Sequence, residues 1–255
     1  MTDFVFIDSG VGGIPYMTSL LQKEPEASCV YVADNANFPY GEKSHEEVVA
    51  CVTSLVEKIC KKFEPAVIVL ACNTISVNAL EVLRQKFPQI KFVGTVPAIK
   101  LAASITKNKC IGLLASASTC ENPYNIELKN KFASDCKLIL RPDAELISFI
   151  EQKGFTASKT ELQQAVRRSI EFFKKNDCDV IILGCTHFLN IKNVFEEAAD
   201  MKIVDSVDGV VRHALDIGIV VGNAHIPPSL YITGQMNPSY EIICSRYKIS
   251  FGGNI

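Results

Sequence analysis

Apolar residues follow two rhythms along this chain. Short unbroken runs such as Val67-Ile68-Val69-Leu70 and Val180-Ile181-Ile182-Leu183 have the composition of strands buried on both faces. Between them lie longer stretches in which apolar positions recur every three or four residues, as on one face of a helix. The pattern predicts strands over 4–8, 29–33, 67–72, 90–95, 110–115, 137–141, 179–184, 202–205 and 229–233. Strands alternating with helices in this way indicate an α/β protein with mainly parallel sheets.

Two of the helices carry start signals. Ser44-His45-Glu46-Glu47 has capping-box spacing, and Val48, Val49, Val52, Leu55, Val56, Ile59 and Phe63 follow at helical intervals. Cys51 and Cys60 fall on the same apolar stripe, where a thiol acts as a small hydrophobe. Thr160-Glu161-Leu162-Gln163 offers a second box ahead of Leu162, Val166, Ile170 and Phe173. Both stretches predict amphipathic helices that cover a sheet.

The pattern also repeats on a larger scale. "FVFIDSGVGG" at 4–13 is followed by Cys72, and "CIGLLASAST" at 110–119 is followed by Cys185. In each case the cysteine closes an apolar run and precedes small hydroxyl or amide residues, Asn73-Thr74 in one and Thr186 in the other. The reading is two similar α/β domains related by pseudo-twofold symmetry, with an active site in the cleft between them. Residues 1–95 plus 209–255 form the first, and 96–208 the second.

Composition narrows the class without naming a function. With 255 residues, 48% apolar and 21% charged, the chain can bury one large core or two small ones. A formal charge of −2 gives no reason to expect nucleic acid or an anionic membrane as partner. Met-Thr-Asp-Phe lacks the basic stretch of a signal peptide, and no apolar run approaches the roughly 20 residues of a membrane span. A soluble cytoplasmic protein is therefore expected. There are ten cysteines but no C-x-x-C pair, so structural zinc and thioredoxin-like readings are weak and reduced thiols are expected.

In parallel α/β sheets, ligands bind beyond the carboxyl ends of the strands, where a strand gives way to a helix. Cys72 and Cys185 are expected there, each facing the free N–H groups of a helix start, which favour an anion and raise the thiolate fraction. One cysteine at a strand end is usually core packing; two at equivalent points of a repeated unit are better explained by chemistry. Acid/base groups on opposite faces of one carbon are what inversion through a carbanion requires. Asp8 sits at another strand end, before Ser9-Gly10-Val11-Gly12-Gly13. Pro15 occupies the last glycine position of G-x-G-x-x-G, which argues against a dinucleotide site, and the glycines are expected to let backbone approach a small ligand. Pro39-Tyr40-Gly41 reads first as a turn, with Tyr40 as an alternative ligand contact. His187 lies two residues beyond Cys185; His45, His213 and His225 read as surface or packing residues.

Taken in order, "IDSGVGG" (7–13), "FPYG" (38–41), "ACNT" (71–74), "GCTHF" (184–188), "IVDS" (203–206) and "ITGQ" (232–235) resemble the glutamate racemases of the cofactor-independent aspartate/glutamate racemase superfamily. The resemblance spans nearly the whole chain. It implies reversible interconversion of L- and D-glutamate, a small-molecule substrate, without pyridoxal phosphate, metal or other cofactor, supplying D-glutamate for bacterial peptidoglycan. By position, Cys72 looks like the base for D-glutamate and Cys185 the base for L-glutamate, each serving as the acid in the opposite direction. Asp8 and His187 look like their assisting groups. Ser9, Pro39, Tyr40, Gly41, Asn73, Thr74, Ser118 and Thr186 look like substrate contacts. Homodimers are common in such a family.

The second domain departs from the family pattern. In "LLASASTCENPY", Ala115 stands where a threonine is usual and Ser118 where a second is. Ala115 removes a hydrogen-bond partner that typically contributes about 0.5–1.5 kcal/mol, which leaves room for aspartate or another amino acid as substrate. A further family carboxylate aligns with Glu151 in "ISFIE", with Glu145 as a rival. A glutamate-binding relative without turnover is a different class of reading, and a one-cysteine thiol hydrolase another.

Overall fold

The structure is a computed structural model that describes residues 2–218, 220 and 227–255. His225 lies outside the described residues. Contacts divide the chain into two compact units, Met1–Thr95 with Val207–Ile255 and Val96–Ser206.

The first unit contains β1 (Thr2–Asp8), α1 (Ile14–Lys23), β2 (Cys29–Ala33), α2 (His45–Phe63), β3 (Pro65–Leu70), α3 (Asn73–Lys86) and β4 (Lys91–Gly94). In the second follow α4 (Ile99–Ile105), β5 (Cys110–Ala115), α5 (Ala117–Glu121), α6 (Pro123–Phe132), β6 (Lys137–Pro142) and α7 (Ala144–Lys153). It continues with α8 (Lys159–Lys175), β7 (Val180–Leu183), α9 (Thr186–Leu189), α10 (Lys192–Ala198) and β8 (Lys202–Val204). The chain then returns to the first unit with α11 (Val207–Ile217), β9 (Ser229–Ile232), α12 (Pro238–Tyr247) and β10 (Ser250–Asn254).

Among the described residues the two sheets run β10-β9-β2-β1-β3-β4 and β6-β5-β7-β8, and every pairing is parallel. The order β2-β1-β3-β4 is repeated as β6-β5-β7-β8, so the repetition visible in the sequence is a repetition of topology. The first unit adds β9 and β10 beside β2. All seven residues of β1 are buried, as expected of a central parallel strand covered on both faces.

The box at Ser44 forms as read: its side chain accepts the Glu47 N–H, and Glu47 accepts the Ser44 N–H. The second box is a correction, because Ser158 and not Thr160 caps α8, with Glu161 as its partner. Both spacings satisfy the pattern, but Ser158 has the extended backbone a cap needs, whereas Thr160 already lies in the helix. The strand reading omitted β10. Its sequence Ser250-Phe251-Gly252-Gly253-Asn254 hides it, since glycine weakens a strand signal. Packing requires the first of those glycines: a Cβ on Gly252 would lie 2.4 Å from the Tyr231 ring.

Candidate functional site

The strand-to-helix turns of the first unit bring together most of its predicted site residues. Asp8 ends β1 fully buried. Its Oδ1 accepts the Ser9 N–H at 2.7 Å, and its Oδ2 accepts the Gly13 N–H at 2.8 Å. The Tyr31 hydroxyl donates to the Gly10 carbonyl at 2.9 Å and also accepts from Gly13 at 2.9 Å. The 9–13 loop is thus folded around the Asp8 carboxylate. At Gly13 a Cβ would lie 2.5 Å from the carbonyl oxygen of Ala71. The missing side chain there lets the loop pack against the residue that precedes Cys72.

Cys72 is buried and extended, with φ −150° and ψ 124°, and forms the N-cap of α3 without capping it through its side chain. Asn73 and Thr74 open the helix and are also buried. Asn73 Oδ1 is buried without a hydrogen-bond partner, an arrangement that costs about 1–3 kcal/mol unless a ligand or water supplies a donor. Ser9 is buried at the turn. Tyr40 opens a 3₁₀ turn, Tyr40–Glu42, which includes Gly41 and follows an extended Pro39.

The Tyr40 hydroxyl donates to Asp34, a contact that sequence reasoning missed. Burial, reinforced by the Asp34 charge and hydrogen bond, pushes this phenol far above its ordinary range, so it stays a neutral donor. Asp34 also accepts from the Asn37 amide at 3.0 Å and the Thr233 hydroxyl at 2.6 Å. Asn35 Oδ1 accepts the N–H groups of Thr233 and Gly234 at 3.1 and 2.7 Å. "FPYG" and "ITGQ" are therefore joined through the Asp34-Asn35 pair at the end of β2. The signal was an acidic-amide pair immediately after a buried strand.

The second unit is built differently. Cys185 is the extended N-cap of α9, and partly exposed. The helix that Cys185 opens has four residues, against fourteen in α3, so fewer aligned peptide dipoles point at Cys185 than at Cys72. The Cys185 sulfur instead lies 3.6 Å from His187 Nδ1, and His187 Nε2 lies 2.8 Å from Glu151 Oε2. His187 and Glu151 are both buried, as is Thr186. Burial by itself lowers the imidazole pKa, but the contacts to Cys185 and Glu151 outweigh it and hold the group well above its ordinary range.

Glu151 comes from α7, whose N-terminus is capped by Asp143. Glu145, the rival, is exposed and paired with Arg168 at 3.0 Å. Ala115 is fully buried at the end of β5, and Ser118 is half-buried in α5. The Ser116 and Thr119 hydroxyls bond one another at 3.0 Å. Cys120, close enough to feel Cys185, is pushed up to about 12, chiefly by burial. His45 is exposed and bonds Asn78 at 3.1 Å, and His213 is exposed on α11. Among the described residues no group of three or more His, Cys, Asp or Glu is arranged to hold a metal, and no helix is long and apolar enough to cross a membrane.

Residues 13–214 match the Asp/Glu/Hydantoin racemase family. The glutamate racemase of Treponema pallidum (strain Nichols) is 38% identical over 252 residues, which cover 98% of this chain and 93% of that protein. That of Proteus mirabilis is 43% identical over 209 residues, covering 80% of this chain and 72% of the relative. A crystal structure of Escherichia coli glutamate racemase in complex with L-glutamate and the activator UDP-MurNAc-ala superposes with a TM-score of 0.87 at 29% identity, covering 100% of this chain and 98% of that one. With a family match over most of its length, and relatives above 30% identity along nearly all of it, this chain belongs to the Asp/Glu/Hydantoin racemase family.

Proposed function

We propose that this chain is a glutamate racemase that interconverts L- and D-glutamate through two cysteine thiols, one from each unit. The observation that carries the reading is the placement of Cys72 and Cys185 as extended N-caps at corresponding strand-to-helix turns of two sheets with the same strand order. The relatives named above are glutamate racemases, which supports glutamate as the substrate.

In the direction from D-glutamate, the Cys72 thiolate removes the α-proton and becomes a thiol. Cys185 then delivers its proton to the opposite face of the planar carbanion and becomes a thiolate. The reverse direction exchanges the roles. Asp8 assists Cys72 from the end of β1. On the other side, His187, kept protonated by Cys185 and Glu151, stands beside the Cys185 sulfur as its assisting group. Asn73 Oδ1, buried and without a partner, accepts from the substrate ammonium. Ser9, Thr74, Ser118 and Thr186 supply hydroxyl or N–H contacts to its carboxylates. The Tyr40 hydroxyl is engaged by Asp34, so Pro39, Tyr40 and Gly41 contribute through backbone. Chemistry that depends on two reduced thiols suits the cytoplasm, where the D-glutamate would enter peptidoglycan synthesis.

Proton NMR in D2O tests the reading. L-Glutamate incubated with the reduced protein should lose its α-proton signal and yield the D enantiomer. Cys72→Ser and Cys185→Ser should each slow racemisation by at least about 100-fold, the lower range for a positioned acid or base. Full activity in either variant would overturn the two-thiol mechanism. Exchange of L-aspartate alone would keep the chemistry and move the substrate, an outcome that Ala115 in place of a hydroxyl residue makes worth measuring.

A further inference from the structure

We propose that Ser76 is a positioning residue for Cys72. The inference rests on the reading of Cys72 as a proton-transferring thiol. Cys72 is the N-cap of α3 and does not cap it through its side chain, so the turn that leads from the strand to the helix is set by its backbone. Ser76, one turn into the helix and buried, holds that backbone with a single oxygen. Its hydroxyl lies 2.8 Å from the Cys72 carbonyl and 3.1 Å from the Leu70 carbonyl, between which it shares its proton. The same oxygen accepts the N–H of Thr95 at 2.8 Å.

Three segments therefore meet on one hydroxyl: the last residue of β3, the cysteine itself and the residue that follows β4. The Cys72 carbonyl also accepts the Ser76 N–H at 3.0 Å, so both donors of Ser76 hold the peptide that leaves Cys72. The corresponding position in the second unit differs. Four residues beyond Cys185 stands Leu189, which ends α9 and carries no hydroxyl. Cys185 is instead contacted through its sulfur by His187. The two thiols are held by different devices: a backbone clamp at Cys72 and a side-chain relay at Cys185.

A clamp of this kind acts on the chemical step more than on binding. Reaction rates depend steeply on geometry, and a displacement of 1 Å can cost about 100-fold. Ser76→Ala should therefore lower kcat by about tenfold with little change in KM. Because Cys72 takes the α-proton of D-glutamate in this reading and returns one to the carbanion from L-glutamate, the α-deuterium isotope effect on kcat should rise for D-glutamate and fall for L-glutamate, whose labelled proton is taken by Cys185. Ser76→Thr, which keeps the hydroxyl, should restore most of the rate. If Ser76→Ala does not fold, Ser76→Cys, of similar size and with a weak donor, carries the same test.

Wild-type kcat in folded Ser76→Ala overturns the inference, as does a loss of rate with equal isotope effects for both enantiomers, which would mark a merely structural role. Cys72→Ala, run in parallel, separates the two levels. An inactive Cys72→Ala beside a fully active Ser76→Ala removes only the role of Ser76. A fully active Cys72→Ala removes the reading of Cys72, and this inference with it.

Discussion

Glu151 and His187 form a buried pair, with 2.8 Å between Oε2 and Nε2, at the end of a line that begins on the Cys185 sulfur. The two side chains are 7% and 3% exposed, so neither charge is well hydrated, and each depends on the other. Glu151→Gln should remove the charge that holds the imidazolium and lower kcat by about 10- to 100-fold, at or below the range of a direct acid or base. The alkaline limb of its pH–rate profile should move to lower pH. Glu145→Gln should leave both rate and profile as they are, because an exposed pair such as Glu145–Arg168 contributes only about 0–1 kcal/mol. Rate profiles of the two variants side by side decide the matter.

The same pair links stability to pH. The His187 pKa is raised in the folded state, so the folded protein binds this proton more tightly than the unfolded chain. The stabilisation is fully present below the unfolded value of about 6.5 and is lost as pH rises through the folded value. Melting temperatures measured from pH 6 upward should fall more steeply for the wild type than for Glu151→Gln. Parallel curves would show that the pair does not contribute to this linkage.

Gly13 has no room for a side chain. A Cβ would lie 2.5 Å from the Ala71 carbonyl and 2.7 Å from the Ala71 Cβ, and both neighbours belong to the chain that leads into Cys72. Gly13→Ala should destabilise the protein by about 1–3 kcal/mol, the usual cost of overpacking. Chemical denaturation measures that cost, and a midpoint equal to wild type would show that the 9–13 loop can move away at no expense.

Cys120 and Cys185 should differ in reactivity. Cys120 is buried, with its thiol pushed up to about 12, whereas Cys185 is partly exposed beside a protonated His187. Brief treatment with iodoacetamide at neutral pH, followed by peptide mass spectrometry, should label Cys185 well ahead of Cys120, because Cys185 is open to the reagent while burial keeps Cys120 a neutral, shielded thiol. Cys120→Ala should retain racemisation. Labelling in the opposite order would contradict the assignment of the environments.

The elements were legible in the chain because each follows from local rules. Unbroken Val/Ile/Leu runs became parallel strands, and Ser44 to Glu47 became a capped helix start. Local rules also set the limits. Thr160 and Ser158 satisfy the same spacing, and only the fold selected Ser158. Strand β10 was missed because Gly252 answers to the Tyr231 ring, a neighbour in space and not in sequence.

By itself the sequence determined that two similar α/β units each carry a cysteine where a strand gives way to a helix, because apolar periodicity is a property of consecutive residues. Tertiary structure decided how each thiol is surrounded. It brought Glu151 rather than Glu145 to His187, turned the Tyr40 hydroxyl to Asp34, set Gly13 against Ala71, and placed Ser76 between Leu70, Cys72 and Thr95. The physical reason is that a buried polar group must find a partner wherever the fold supplies one, and sequence spacing carries no record of which distant residue that will be.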